Sequence, residues 1–356
     1  MKKNRRFLFI LWPAVMSVLL LLAACASSGS NEAPSPAPEA TATVSPSAEP
    51  VPTEPPMTAP LTGIGRDTPA DARPIGVMIN NLAPARPQSG LTNADVVWEV
   101  LAEGGITRLV AIFQSTDKMD DPVGPIRSIR PYFIDLIESY GGIIAHAGGS
   151  NDAYAILQTQ HKPDLDEITN AGSYFWRSKD RKAPHNLYSD LGKLKTAAAK
   201  KKYGPLDIVP AYSFDAAGAV ADTDKPAGSI SIRFMLKNYT VRYEYDAGSG
   251  IYKRFIGDEP HIDMNNNEQL SAANLVVLST KHETLDDEGR LAVDMKSGGP
   301  AVLFQKGKAL DCEWTRAADG MIRIMKDGKE LPFIPGHTYF HIVPNDKPLE
   351  QHVTYG

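Results

Sequence analysis

Gly124-Pro125-Ile126-Arg127-Ser128-Ile129-Arg130-Pro131 sets two arginines three residues apart, immediately before a proline. Guanidinium groups offer a planar fork of donors that matches carboxylate and phosphate oxygens. Pro131 biases Arg130 toward extended backbone and can open a helix at its first position, which would stand both cations beside a positive helix end. Gly148-Gly149-Ser150 repeats the idea: the glycines let backbone N–H groups approach a ligand, and Ser150 can cap the helix that follows. Together with Arg86, these groups are candidates for binding phosphate, sulfate or carboxylate. The competing reading is that the arginines pair with Asp95, Asp135 or the glutamates, and that the glycines only form a tight turn.

Acid–base chemistry has its own candidates. If Gly104-Gly105 is a two-residue hairpin loop, Arg108 faces Leu101 and lies diagonal to Glu99 and Glu103 on one sheet face. That geometry predicts an ion-pair network, or else a general base or cation ligand in Glu99 or Glu103. His146 and His185-Asn186 offer a neutral-pH proton carrier or a ligand contact, with the core role the competing reading for His146 at a strand end. His185, in a loop after Ala183-Pro184, is the better functional candidate. Glu103 and His185 are therefore the catalytic candidates, and Arg86, Glu99, Arg108, Arg127, Arg130, His146, Ser150 and Asn186 the ligand-binding ones. No metal motif is complete: the run Asp263-x-Asn265-x-Asn267 has Glu268 where a calcium loop needs glycine and Asn274 where it needs glutamate. No nucleophile elbow surrounds Ser89, Ser128 or Ser150. No metal or cofactor is expected.

The elements that must position these groups are legible as periodicities. Pro74–Ile79, Asp95–Leu101, Ile106–Phe113 and Ile143–Ala147 read as strands. Ile129, Phe133, Leu136, Ile137 and Tyr140 fall at helical spacing, and further helices are expected around 153–158 and 190–202. Apolar and polar residues alternate over Ile230–Phe234 and Tyr239–Tyr245, which predicts half-buried strands. Further strands are predicted at the runs Leu275–Thr280, Leu291–Met295, Ala301–Gln305, Leu310–Trp314, Met321–Met325 and Thr338–Val343, each bounded by Gly, Asp or Pro. The expected architecture is a mixed α/β (α+β) domain over 61–215 followed by a β-rich, sandwich or open-barrel-like domain over 216–356, with a seam near 210–228.

The first sixty residues address location. Lys2, Lys3, Arg5 and Arg6 precede an apolar run from Phe7 to Leu22, and Leu22-Ala23-Ala24-Cys25 closes it. Residues 1–24 thus read as a lipoprotein signal peptide, with Cys25 the lipid attachment point holding the protein to a membrane. Residues 25–60, rich in Pro, Ser and Ala, read as a disordered tether of ~30–35 Å root-mean-square span. Loss of the leader leaves 33 of the 37 basic residues against 42 acidic ones, a net charge of −9, which argues against a nucleic-acid partner. Cys312 would then be the one unmodified thiol, so no intramolecular disulfide is expected.

Several motifs are specific in combination: Ala85-Arg86-Pro87-Gln88-Ser89-Gly90-Leu91, Glu103-Gly104-Gly105-Ile106-Thr107-Arg108, Gly124-Pro125-Ile126-Arg127-Ser128-Ile129-Arg130, His146-Ala147-Gly148-Gly149-Ser150 and Ala183-Pro184-His185-Asn186-Leu187-Tyr188. Through them the chain resembles the YerB-like bacterial lipoproteins, a family of two paired domains of unknown function. A weaker match runs from Tyr243 to Val343 and includes His261-x-Asp263. The resemblance implies architecture and anchoring in a Gram-positive envelope, and carries over no catalytic residue. Three functions follow as expectations: a non-catalytic binding protein for an anionic small molecule or cell-wall polymer, an enzyme acting on a phosphate- or carboxylate-bearing wall substrate, or an assembly factor for another envelope protein.

Overall fold

The computed structural model describes residues 57–356; the expected leader, Cys25 and most of the tether lie outside the described residues. Met57–Thr58 pairs with Gly65–Arg66, so these two residues, expected in the tether, belong to a folded hairpin. In chain order the main elements are β1 (Ile75–Asn80), β2 (Val96–Leu101), β3 (Thr107–Phe113), α1 (Pro131–Glu138), β4 (Ile143–His146), α2 (Asn151–Thr159), β5 (Asp164–Asp166), β6 (Trp176–Arg177), β7 (Leu187–Asp190) and α3 (Leu191–Lys200). There follow β8 (Ser229–Arg233), β9 (Thr240–Asp246), β10 (Ile251–Ile256), β11 (Asn274–Thr280), β12 (Gly299–Gln305), β13 (Lys308–Arg316), β14 (Ile322–Lys326), β15 (Thr338–Pro344) and β16 (Val353–Tyr355). Helices are confined to the N-terminal half and the C-terminal half is built of strands, as the periodicities predict.

One twelve-stranded sheet runs through both halves, in the order β14-β13-β12-β11-β15-β2-β3-β1-β4-β5, with a short strand outside β14 and another, Lys225–Pro226, paired with β13. The junction is β15 lying parallel to β2, from Thr338 opposite Val96 to Ile342 opposite Val100. Strands β1, β2, β3, β11 and β15 are buried along their whole length, the property of central strands covered on both faces. Trp98 and Phe340, opposite one another across the junction, stack with ring centroids 4.0 Å apart. A smaller sheet, β10-β9-β8-β16 with short flanking strands, lays its inward residues Ile230, Ile232, Val241, Tyr243 and Tyr252 into the same core. Contacts across 57–356 are dense enough that the segment forms one compact unit.

Helix α1 buries Tyr132, Phe133, Ile134, Leu136 and Ile137. It sits close to β1 because Gly76 has no side chain: a Cβ there would lie 2.5 Å from Ile137 Cγ1. Arg130 is extended (φ −133°, ψ 161°) and Pro131 takes the first turn, as the X-Pro rule predicts. Ser150 Oγ accepts from Ala153 N–H at 3.3 Å and caps α2, and Asp190 caps α3 by accepting from Lys193 N–H at 2.7 Å.

The β2–β3 hairpin corrects one expectation. The turn is not a two-residue loop: Leu101 pairs with Thr107 and Val100 with Arg108, and Glu103–Gly105 forms a short 3-10 turn with Gly104 at φ 67° and Gly105 at φ 74°. A one-residue change of register sends a side chain to the opposite sheet face. Arg108 therefore shares a face with Val100, while Glu99, opposite Leu109, points to the other side.

Candidate functional site

That register divides the polar residues into two groups. On one face, the Arg108 guanidinium donates to Ser128 O at 2.8 Å and to Glu103 Oε2 at 3.1 Å. Arg130 Nε donates to the other oxygen of Glu103. Burial would raise the Glu103 pKa, but the two arginines hold it below the usual carboxylate range. A carboxylate so clamped is a poor proton acceptor. Arg108 is itself depressed to about 10, first by burial and then by Arg130.

Arg127 is free of this clamp. It is half-buried, forms no ion pair among the described residues, and lines a cavity of about 500 Å³ together with Ser128, Gly148, Gly149, Tyr154 and Arg177. Its pKa is lowered by burial and by the positive fields of Arg130 and Arg177, with Glu103 opposing. Arg177 belongs to β6 and is shared between Glu167 at 3.3 Å and Asn186 Oδ1 at 3.2 Å. Arg108 and Arg130 thus share Glu103, and Arg177 pairs with Glu167. Beneath the glycines, Asp166 is filled by Gly148 N–H, Tyr154 O–H and Thr169 O–H at 2.8, 2.8 and 2.9 Å.

The remaining predicted residues have structural work. His146 is fully buried, with Nδ1 2.9 Å from Gly148 O and Nε2 3.4 Å from Asp164. Asn186 donates to Ser178 O and Arg181 O, which holds the loop before β7. His185 Nδ1 accepts from Asn80 Nδ2 at 2.9 Å, and burial, Arg127 and Arg181 all lower its pKa. Arg86 does not join Arg127: it lines a separate cavity with Asn81, Thr107 and Tyr239. The expected grouping of Arg86 with Arg127 and Arg130 in one anion site is therefore not realised, because the chain leaving β1 carries Arg86 to the Glu99 side of the sheet. No group of three His, Cys, Asp or Glu residues is placed to hold a metal ion among the described residues.

On the opposite face lies a network whose main partners sequence reasoning missed. Glu99 and Arg254 are both fully buried, and Arg254 donates to Glu99 Oε2 at 2.7 Å. Glu99 Oε1 accepts from Tyr239 O–H at 2.6 Å, Thr107 O–H at 2.7 Å and Asn81 Nδ2 at 3.2 Å. Arg254 also donates to Tyr243 O–H at 2.6 Å and to His261 Nδ1 at 3.0 Å, and His261 Nε2 reaches Gln88 Oε1 at 2.6 Å. Burial would raise the Glu99 pKa, yet Arg254, His341, Tyr239 and Thr107 together hold it low. His341 is pushed down to about 3 by burial, with Glu99 opposing and Arg254 assisting. One signal was available in the sequence: Arg254 falls on the inward phase of β10, two residues from Tyr252. Arg177 had none.

Residues 61–204 match the family described as "Protein of unknown function (DUF3048) N-terminal domain", and residues 230–340 match its C-terminal domain. The Bacillus subtilis (strain 168) protein named "Putative lipoprotein YerB" is 36% identical over 295 residues, 81% of this chain and 87% of that protein. The crystal structure of YerB from Bacillus subtilis aligns with a TM-score of 0.76 at 34% identity, covering 84% of this chain and 99% of that one. Glu99 and Arg254 thus tie the segment matching the first domain to the segment matching the second, and the chain belongs to the YerB-like DUF3048 family of paired N- and C-terminal domains.

Proposed function

We propose that this protein is an extracytoplasmic binding protein, lipid-anchored through Cys25 to the cell membrane of a Gram-positive bacterium, whose Arg127 cavity receives an anionic group of a small envelope molecule or cell-wall polymer. The lipoprotein name of the Bacillus subtilis relative and the leader, cysteine and tether of the sequence support the anchor. The observation that carries the binding reading is Arg127: a half-buried guanidinium on a cavity wall with no carboxylate partner among the described residues. A buried cation without a counter-ion is costly, and an incoming carboxylate or phosphate relieves that cost. Arg127 and Arg177 are the two cations on the cavity wall, and of these only Arg127 lacks a carboxylate partner among the described residues.

Calorimetric titration of the full chain with inorganic phosphate and glycerol 3-phosphate tests this. Arg127→Ala should weaken binding roughly 10- to 100-fold, the value of one charge-assisted contact. Equal affinities in the two proteins would reject the cavity as the site. For the anchor, Cys25→Ser should abolish labelled-palmitate incorporation and release the protein from the membrane fraction; unchanged labelling would reject it.

A further inference from the structure

We propose a second ligand site at the junction of the two halves: the cavity between Asn81–Arg86 and Leu236–Tyr239 takes a small monocarboxylate bearing a short apolar chain, with its carboxylate on Arg86. The cavity measures about 230 Å³. Its charged group is Arg86, whose guanidinium stands 5.6 Å from the centroid of the Tyr239 ring. The ring holds the cation in place by a face contact that leaves the donor fork unused. Arg86 Nε is buried with no hydrogen-bond partner, and Arg86 forms no ion pair among the described residues.

The carboxylates that could serve it are engaged elsewhere. Glu99 is taken by Arg254, Tyr239, Thr107 and Asn81. Asp263, near the same corner, is filled by Gly90 N–H at 3.0 Å and Thr92 N–H at 2.9 Å. Arg86 is therefore left without a counter-charge, and a ligand carboxylate supplies one. Asn81, Thr107 and the Tyr239 hydroxyl are engaged within the network, so beyond Arg86 the wall offers the apolar side chains of Leu82, Ile106 and Leu236, with exposed Asn238 at its edge. A cation at one end and aliphatic walls beyond it select an amphiphilic monoanion over a polyol or a sugar phosphate.

This site is independent of the Arg127 reading, and one experiment separates them. The full chain in lipid nanodiscs is titrated with acetate, propanoate, butanoate and inorganic phosphate, followed by amide chemical shifts. Affinity should tighten about fourfold per added methylene from acetate to butanoate. Arg86→Gln should lose carboxylate binding at least tenfold, and Leu236→Trp, which fills the cavity while keeping the cation, should do the same. Arg127→Ala should leave it unchanged. Affinity that does not depend on chain length, or carboxylate binding that survives either Arg86→Gln or Leu236→Trp, overturns the proposal, whatever the outcome with phosphate.

Discussion

Replacing Arg254 by methionine is the sharpest test of how the two halves are joined. The substitution keeps most of the buried volume and removes the donors to Glu99, Tyr243 and His261, at 2.7, 2.6 and 3.0 Å. Glu99 is then a fully buried carboxylate with only neutral donors around it. Breaking one partner of a buried pair costs ~3–5 kcal/mol, most of it the cost of the charge left behind. Glu99→Leu should cost a similar amount by stranding Arg254. The double variant Glu99→Leu/Arg254→Met strands neither charge, so its loss should fall short of the sum of the singles by ~3 kcal/mol or more. Acid gives a second readout. Without Arg254 burial raises the Glu99 pKa, so the carboxyl is neutral below its unfolded value of ~4.3. The Arg254→Met deficit should therefore be largest near pH 7 and shrink toward pH 4. Urea unfolding at both pH values measures all of this. Additive losses in the double variant, or a single-variant cost below ~1 kcal/mol, would mean that the pair does not hold the halves together.

Two further outcomes follow from the geometry. Ser150→Ala removes the cap on α2 and should cost ~1 kcal/mol by chemical denaturation, whereas Ser150→Asn, which can still accept from Ala153 N–H, should recover most of it. His341, lowered to about 3, and His261, lowered well below its ordinary value, stay neutral in the folded chain while the unfolded chain binds protons below pH ~6.5. The unfolded state then holds more protons, so stability should fall as pH drops from ~6.5, by up to ~1.4 kcal/mol per pH unit for each histidine. Removing the His341 share with His341→Gln should flatten that slope between pH 6 and 4; an unchanged slope would refute it.

What could be read from the chain and what could not divide along the range of the interactions. Period-two alternation marked β8 and β9, apolar runs bounded by Gly, Asp or Pro marked β11 to β15 within a residue or two, and Ser150, Asp190 and Pro131 marked helix starts, because strand phase, turns and capping are decided by neighbours a few residues apart. The hairpin at Gly104-Gly105 was visible, but its register was not: whether two or five residues form the turn depends on what packs on each face, and that choice moved Arg108 away from Glu99.

The parallel pairing of β15 with β2 left no local trace, since each strand reads only as a buried apolar run. Sequence by itself determined the element types, the basic motif of Arg127 and Arg130 and the buried role open to His146. Tertiary structure decided that Glu99 meets an arginine 155 positions away, that Arg130 is consumed by Glu103 while Arg127 is not, and that Arg86 and Arg127 face separate cavities. Charge pairing in a core depends on which strands become neighbours, and a sheet assembled from both ends of a chain settles that only when the chain folds.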